Sequence, residues 1–117
     1  MSRRDLSGAV DFDVLDRMTG GDDAVAEEVL GLFKEQAAMW SAMLEAGTEG
    51  WRDAVHTIRG AAAGIGAHAL AEVCQGAEIV DQALAAPALD RVRSALDVAL
   101  GDVAAWRHEL MLRSLKA

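Results

Sequence analysis

The chain has 117 residues, of which 52% are hydrophobic, and 11 basic against 19 acidic side chains give a formal net charge of −8. That length suits one domain over residues 1–117, and that apolar share is too high for a disordered chain. The charge disfavours a nucleic-acid partner, the lone Cys74 excludes an internal disulfide, and no apolar run approaches the ~20 residues that cross a bilayer.

A cytoplasmic protein without a membrane partner is therefore expected. Met1 to Asp5 is charged but lacks the apolar stretch of a signal peptide. Tyrosine is absent, phenylalanine occurs twice and proline once, while alanine and leucine abound. Such a composition favours helix over strand, and no sustained period-2 alternation occurs.

Residues 1–10 read as a loosely ordered leader. Asp11 to Met18 predicts a short helix presenting Phe12, Leu15 and Met18, stopped by Gly20 and Gly21. Asp22 is a good N-cap for the next segment, 23–46, whose apolar face is Val25, Val29, Phe33, Ala37, Trp40 and Leu44. Gly47 to Gly50 breaks the chain. A third helix is predicted over 51–65 and a fourth over 67–85, with Leu70, Val73, Ala77, Val80 and Leu84 on its stripe. Asp81 falls uncomfortably near that stripe. Pro87 can open a new helix, because its missing N–H costs nothing there. The fifth segment, 88–115, places Leu89, Val92, Leu96, Ala99, Val103, Trp106 and Leu110 on one face. Trp40, Trp51 and Trp106 fit as core anchors and Cys74 as a small packing residue. The predicted fold is all-α: an antiparallel up-down four-helix bundle with a short N-terminal capping helix.

The third helix carries the chemistry. At 100° per residue from His56, Trp51, Ala54, Ile58, Ala61 and Ile65 fall at roughly 140–220° and form the buried face. His56 points away from them, beside Glu49, Arg52, Asp53, Arg59, Gly60 and Ala63. Two arginines on an acidic chain thus bracket one histidine, at i−4 and i+3. The residues that follow are small: Gly60, Ala61, Ala62, Ala63 and Gly64. Glycine inside an exposed helix costs roughly 1 kcal/mol relative to alanine. A face stripped of side chains gives a partner close access to the imidazole, and Arg52, Gly60, Ala63 and Gly64 are the candidate partner contacts.

The run Val55-His56-Thr57-Ile58-Arg59-Gly60, with Gly66 ten residues after the histidine, resembles the histidine phosphotransfer (HPt) family. That family's signature is His-x-x-Lys-Gly followed by a glycine six residues later. Leu70, Cys74 and Glu78 also stand where the family tends to place a leucine, a small or cysteine residue, and a glutamate or glutamine. Upstream, Phe12-Asp13, Leu15, Gly20-Gly21-Asp22 and Leu32-Phe33 look like its N-terminal helix and lead-in. The likeness spans about residues 11–86. Arg59 departs from the usual lysine, keeping the charge but replacing a compact ammonium with a planar fork.

The resemblance implies a phosphorelay intermediate. His56 would accept a phosphoryl group from a receiver-domain aspartate and pass it to another receiver. A neutral imidazole is a good nucleophile near pH 7, and an exposed ring avoids burying a phosphate dianion. Arg59 would offset phosphoryl charge. Glu78 lies about 120° from the centre of its helix's apolar stripe, and the likeness places it beside His56, where a carboxylate could fix the ring tautomer. The implied partners are response-regulator receivers and a hybrid or upstream histidine kinase. Mg²⁺ is expected on the receiver, and no metal or cofactor on this chain. A monomeric carrier without kinase or hydrolase activity is expected.

Rival readings are weaker. Asp53 and His56 at i and i+3 form half of a di-iron motif, but no second half exists. A histidine-kinase dimerisation helix carries Glu or Asp after its histidine, where this chain has Thr57. A helical adaptor that binds a receiver without accepting phosphate would use the same open face, so chemistry alone separates it. His68 and His108 read as ordinary surface residues.

Overall fold

A computed structural model describes residues 10–116. Short polar caps and glycines set the helix limits at the N-terminal end. Asp11 caps α1 (Phe12–Thr19) by accepting from the Asp13 N–H at 3.0 Å, and Gly20 stops it in the left-handed region at φ 66°. Asp22 then caps α2 (Asp23–Ser41) through the Ala24 and Val25 N–H groups. Helix α3 (Trp51–Ile65) has left-handed glycines, Gly50 and Gly66, at both ends. Helices α4 (His68–Glu78) and α5 (Ala85–Lys116) follow, with a short 3-10 turn over Gln82–Leu84 between them. Among the described residues there is no strand, and the fold is the expected helical bundle. Residues 1–9 of the predicted leader lie outside the described residues. Val10, also assigned to that leader, is buried in the core.

Helix α3 matches its predicted limits, and all seven predicted stripe residues of α5 are buried. In α1 Phe12 and Leu15 are buried as expected but Met18 is 50% exposed, and two longer helices differ further from expectation. In α2 the N-terminal half is turned by one residue. Ala26 and Leu30 are buried, whereas Val25 is 41% exposed and Val29 only partly covered. Both sets keep steps of three or four with Phe33, so periodicity could not choose between them. The observed rotation buries Leu30 completely, and exposed ion pairs accompany it: Asp23 reaches Arg113 and Glu27 reaches Arg107, both on α5. The helix also ends at Ser41 instead of 46. Met43 and Leu44 donate three residues back, to Trp40 and Ser41, and this tighter winding still delivers Leu44 to the core.

Helix α4 is much shorter than the 67–85 prediction. Cys74 takes the buried place expected of Val73, and Leu84 is 56% exposed. The β-branched pair Ile79-Val80 weakens the helix. The Arg52 guanidinium then takes the carbonyls of Glu78 and Val80, which a continued helix would use for residues 82 and 84. Asp81 therefore lies outside any α-helix, exposed at the start of the 3-10 turn, which resolves its awkward place on the stripe. Pro87 sits in the first turn of α5, where its lack of an N–H is harmless.

The core joins Leu30, Val55, Ile58, Leu70, Leu96 and Val103 to the three buried tryptophans, and no polar or charged described residue is buried with them. Helix α1 closes the end where α3 stops. Phe12 stacks on Trp106 at 4.7 Å, and the Asp11 N–H donates to the Gly66 carbonyl at 2.8 Å. At Gly66 (φ 84°) a Cβ would fall 2.2 Å from the Asp11 carbonyl oxygen. Gly66→Ala thus combines backbone strain with a clash against α1. It should lower the unfolding free energy by about 2–3 kcal/mol in urea titrations; an unchanged midpoint would show that α1 can simply move aside.

Candidate functional site

Two antiparallel helices build the site. Trp51, Ala54, Val55, Ile58, Ala62 and Ile65 bury one face of α3, with Ala61 partly covered against the core. That packing turns the opposite face outward, and the His56 side chain is 64% exposed. Helix α4 runs back alongside, so its last residue, Glu78, arrives level with His56. The Glu78 side chain is 20% exposed, with Oε1 2.8 Å from His56 Nδ1. Arg59, one turn beyond the histidine, completes the cluster with Nε 3.1 Å from Glu78 Oε2.

Hydrogen-bonding capacity assigns the ring proton. A carboxylate only accepts and a guanidinium only donates. Arg59 Nη2 lies 3.2 Å from the same Nδ1 that Glu78 approaches at 2.8 Å. One nitrogen cannot donate to Glu78 and accept from Arg59 at once. A lone pair at Nδ1 would face the carboxylate repulsively at the shorter distance. The proton therefore belongs on Nδ1, donated to Glu78. The Arg59 contact is a close approach imposed by its ion pair with Glu78. Nε2 is then the nitrogen with a free lone pair, and it has no protein partner among the described residues. Glu78 Oε2 is cut off from solvent and lacks an aligned hydrogen bond. Its compensation comes from the Arg59 charge.

Cys74 lies one turn before Glu78 and is fully buried. Burial pushes its thiol up from 9.0 to about 12, with the Glu78 charge adding to the shift and Arg59 opposing it. The thiolate is the reactive form, so Cys74 is a packing residue beneath the cluster. Iodoacetamide at pH 8 should leave it intact in the folded protein and modify it in urea. Rapid alkylation of the native chain would contradict that. The unfolded thiol ionises first, so alkali between pH 9.0 and about 12 favours unfolding.

The remaining candidates fall into two groups. Gly60, Ala63 and Gly64 are exposed beside His56, and a Cβ added at Gly60 or Gly64 would meet nothing within 4 Å. They form open ground rather than a close helix contact. Arg52 is engaged elsewhere. Its Nη1 and Nη2 donate to the Glu78 and Val80 carbonyls at 2.7 and 2.6 Å, and its guanidinium lies 4.3 Å over the Trp51 ring. Sequence reasoning missed this clamp, and it missed the bridge beside it. Trp51 Nε1 donates to Gln82 Oε1, and Gln82 Nε2 donates to the Ala46 carbonyl. An open cleft of about 430 Å³ lies there, lined by residues 46–53 and Gln82. The His68 ring stands 3.9 Å from the Asp11 carboxylate at the other end of the bundle, and His108 is exposed on α5. Among the described residues, no three His, Cys, Asp or Glu side chains group to hold a metal ion. None of the described helices is long and apolar enough to cross a membrane.

No curated protein matches the chain. The crystal structure of histidine phosphotransferase ShpA from Caulobacter crescentus is similar over 92% of this chain and 99% of its own, with 54% identity and a TM-score of 0.81. The Hpt domain family matches residues 28–106, a stretch that contains His56, Arg59 and Glu78. With more than half of its length inside that match, the chain belongs to the Hpt domain family.

Proposed function

We propose that the protein is a phosphorelay intermediate that carries a phosphoryl group on His56. The observation that carries this reading is the 2.8 Å contact between Nδ1 and Glu78. It holds the ring proton on one nitrogen and leaves the lone pair of Nε2 facing solvent. Family membership and the likeness to a histidine phosphotransferase point the same way.

In this reading a receiver domain docks on the small-residue face with its aspartyl phosphate toward Nε2. The lone pair forms an N–P bond as the P–O bond to the aspartate breaks. The bonding electrons leave with that carboxylate. Glu78 accepts from the Nδ1–H and stabilises the positive charge that the ring acquires. Arg59 offsets charge on the phosphoryl oxygens. The reverse step returns the group to an aspartate of a second receiver. Mg²⁺ belongs with the receiver's aspartate, and the chain needs no kinase or hydrolase chemistry of its own. A histidine kinase carrying a receiver would be the upstream source.

The test mixes the protein with a ³²P-charged receiver domain. Acid-labile, base-stable label on this chain is the expected result. A stable complex without any label would replace the carrier with an adaptor that binds receivers unphosphorylated.

A further inference from the structure

We infer that Arg52 is a positioning residue for His56, acting through the backbone of Glu78. Helix α4 has a weak end. Its C-cap, Ile79, is not in the left-handed conformation (φ −106°), and no basic residue lies in its last turn. The final carbonyls of a helix have no partner within it. Here Arg52 supplies one from another helix, donating to Glu78 O at 2.7 Å and to Val80 O at 2.6 Å.

The clamp itself is well seated. Its guanidinium lies 4.3 Å over the ring of Trp51, a buried residue tied through Gln82 to the preceding loop. Two ends of one residue are thus held by one helix. Arg52 grips the Glu78 carbonyl, and one turn later His56 meets the Glu78 carboxylate at 2.8 Å. Terminal helix residues otherwise fray. With the clamp gone, the last turn of α4 opens and the carboxylate spends less time on Nδ1. The ring then returns toward the tautomer mixture of free histidine. Both nitrogens share the proton in that mixture, and the nucleophilic lone pair is no longer assigned to the exposed side. Direct contact with a phosphoryl group is a poorer use of this arginine, because its two terminal nitrogens are already engaged.

The effect on transfer rests on the carrier reading above, whereas the effect on the ring does not. The experiment is therefore ¹H–¹⁵N NMR of the His56 imidazole in the full chain, at a pH where the ring is neutral. Wild type should show a protonated Nδ1 and an unprotonated Nε2. Arg52→Ala should move both resonances toward free histidine, as Glu78→Ala does, and the double variant should add little. Arg52→Lys, with one ammonium able to reach a carbonyl, should recover part of the shift. Arg107→Ala removes an arginine paired with Glu27 on another flank and serves as a stability control. It should leave the His56 signals in place. Transfer by Arg52→Ala should slow about tenfold, the lower end of what lost supporting contacts cost in metal sites. An Arg52→Ala protein that keeps the wild-type His56 tautomer would overturn the inference, whatever its melting temperature. So would an equal shift in Arg107→Ala. A wild-type chain that takes up no phosphate but shows these ring shifts would remove the carrier reading and leave the positioning role intact.

Discussion

His56→Gln should fold as the wild type does and take up no phosphoryl group from a charged receiver. The loss is expected to be complete, because a carboxamide nitrogen has no available lone pair to form an N–P bond. Stability should be nearly untouched. The side chain is mostly exposed, and surface changes of this kind shift stability by about 0.5 kcal/mol or less. Glutamine also keeps an N–H that can reach Glu78, so the carboxylate is not abandoned by its neutral partner. Equal far-UV spectra and melting temperatures, with label absent from the variant alone, would locate the chemistry at this residue. His68→Gln and His108→Gln should transfer normally. Label on His56→Gln at the wild-type level would remove the residue from the mechanism.

Arg59→Ala has the next largest expected effect. A charge contact present at the transition state contributes a factor of roughly 10²–10³ to the rate, and single-turnover transfer should slow by that much. The sequence alone suggests a solvated arginine whose loss costs the fold little. The structure changes that expectation, because Glu78 Oε2 is shut off from water and faces Arg59 Nε at 3.1 Å. Leaving such an acceptor without its partner costs about 1 kcal/mol, tempered by the water that the truncated side chain admits. Arg59→Lys restores the charge, and lysine is the residue usual in the signature. It should recover much of the rate. Wild-type transfer by Arg59→Ala would make the arginine a partner of Glu78 only.

What could be read from the chain depended on how local each cause is. Helix α3 is bounded by Gly50 and Gly66, both left-handed, so its limits were visible in one dimension. His56, Arg59 and the small-residue face follow from 100° arithmetic on that helix alone. The stripe of α5 was equally plain, since every third or fourth residue is apolar and buried. Helix α2 offered two overlapping stripes that share Phe33, and the choice between them is made by packing on α5, about 80 and 90 positions away, where Arg107 and Arg113 also pair with α2. The end of α4 was hidden for the same kind of reason. It depends on Arg52, a residue 26 positions earlier. The place of Glu78 beside His56 came from family likeness, because spacing cannot show which residues of a neighbouring helix lie level with it.

The bare face of α3 also says where the protein would resist improvement. Gly60 and Gly64 stand in open space inside a helix, where alanine would be better by roughly 1 kcal/mol at each position. Domains of this kind are held by only about 5–15 kcal/mol, so those two positions are the obvious first targets for engineering a hardier variant. In the proposed function they are also the ground on which a receiver settles. Selection for heat resistance alone would roughen that ground and, with it, the proposed docking surface. Selection that also demanded exchange with a partner would have to find its gains on the far side of the bundle.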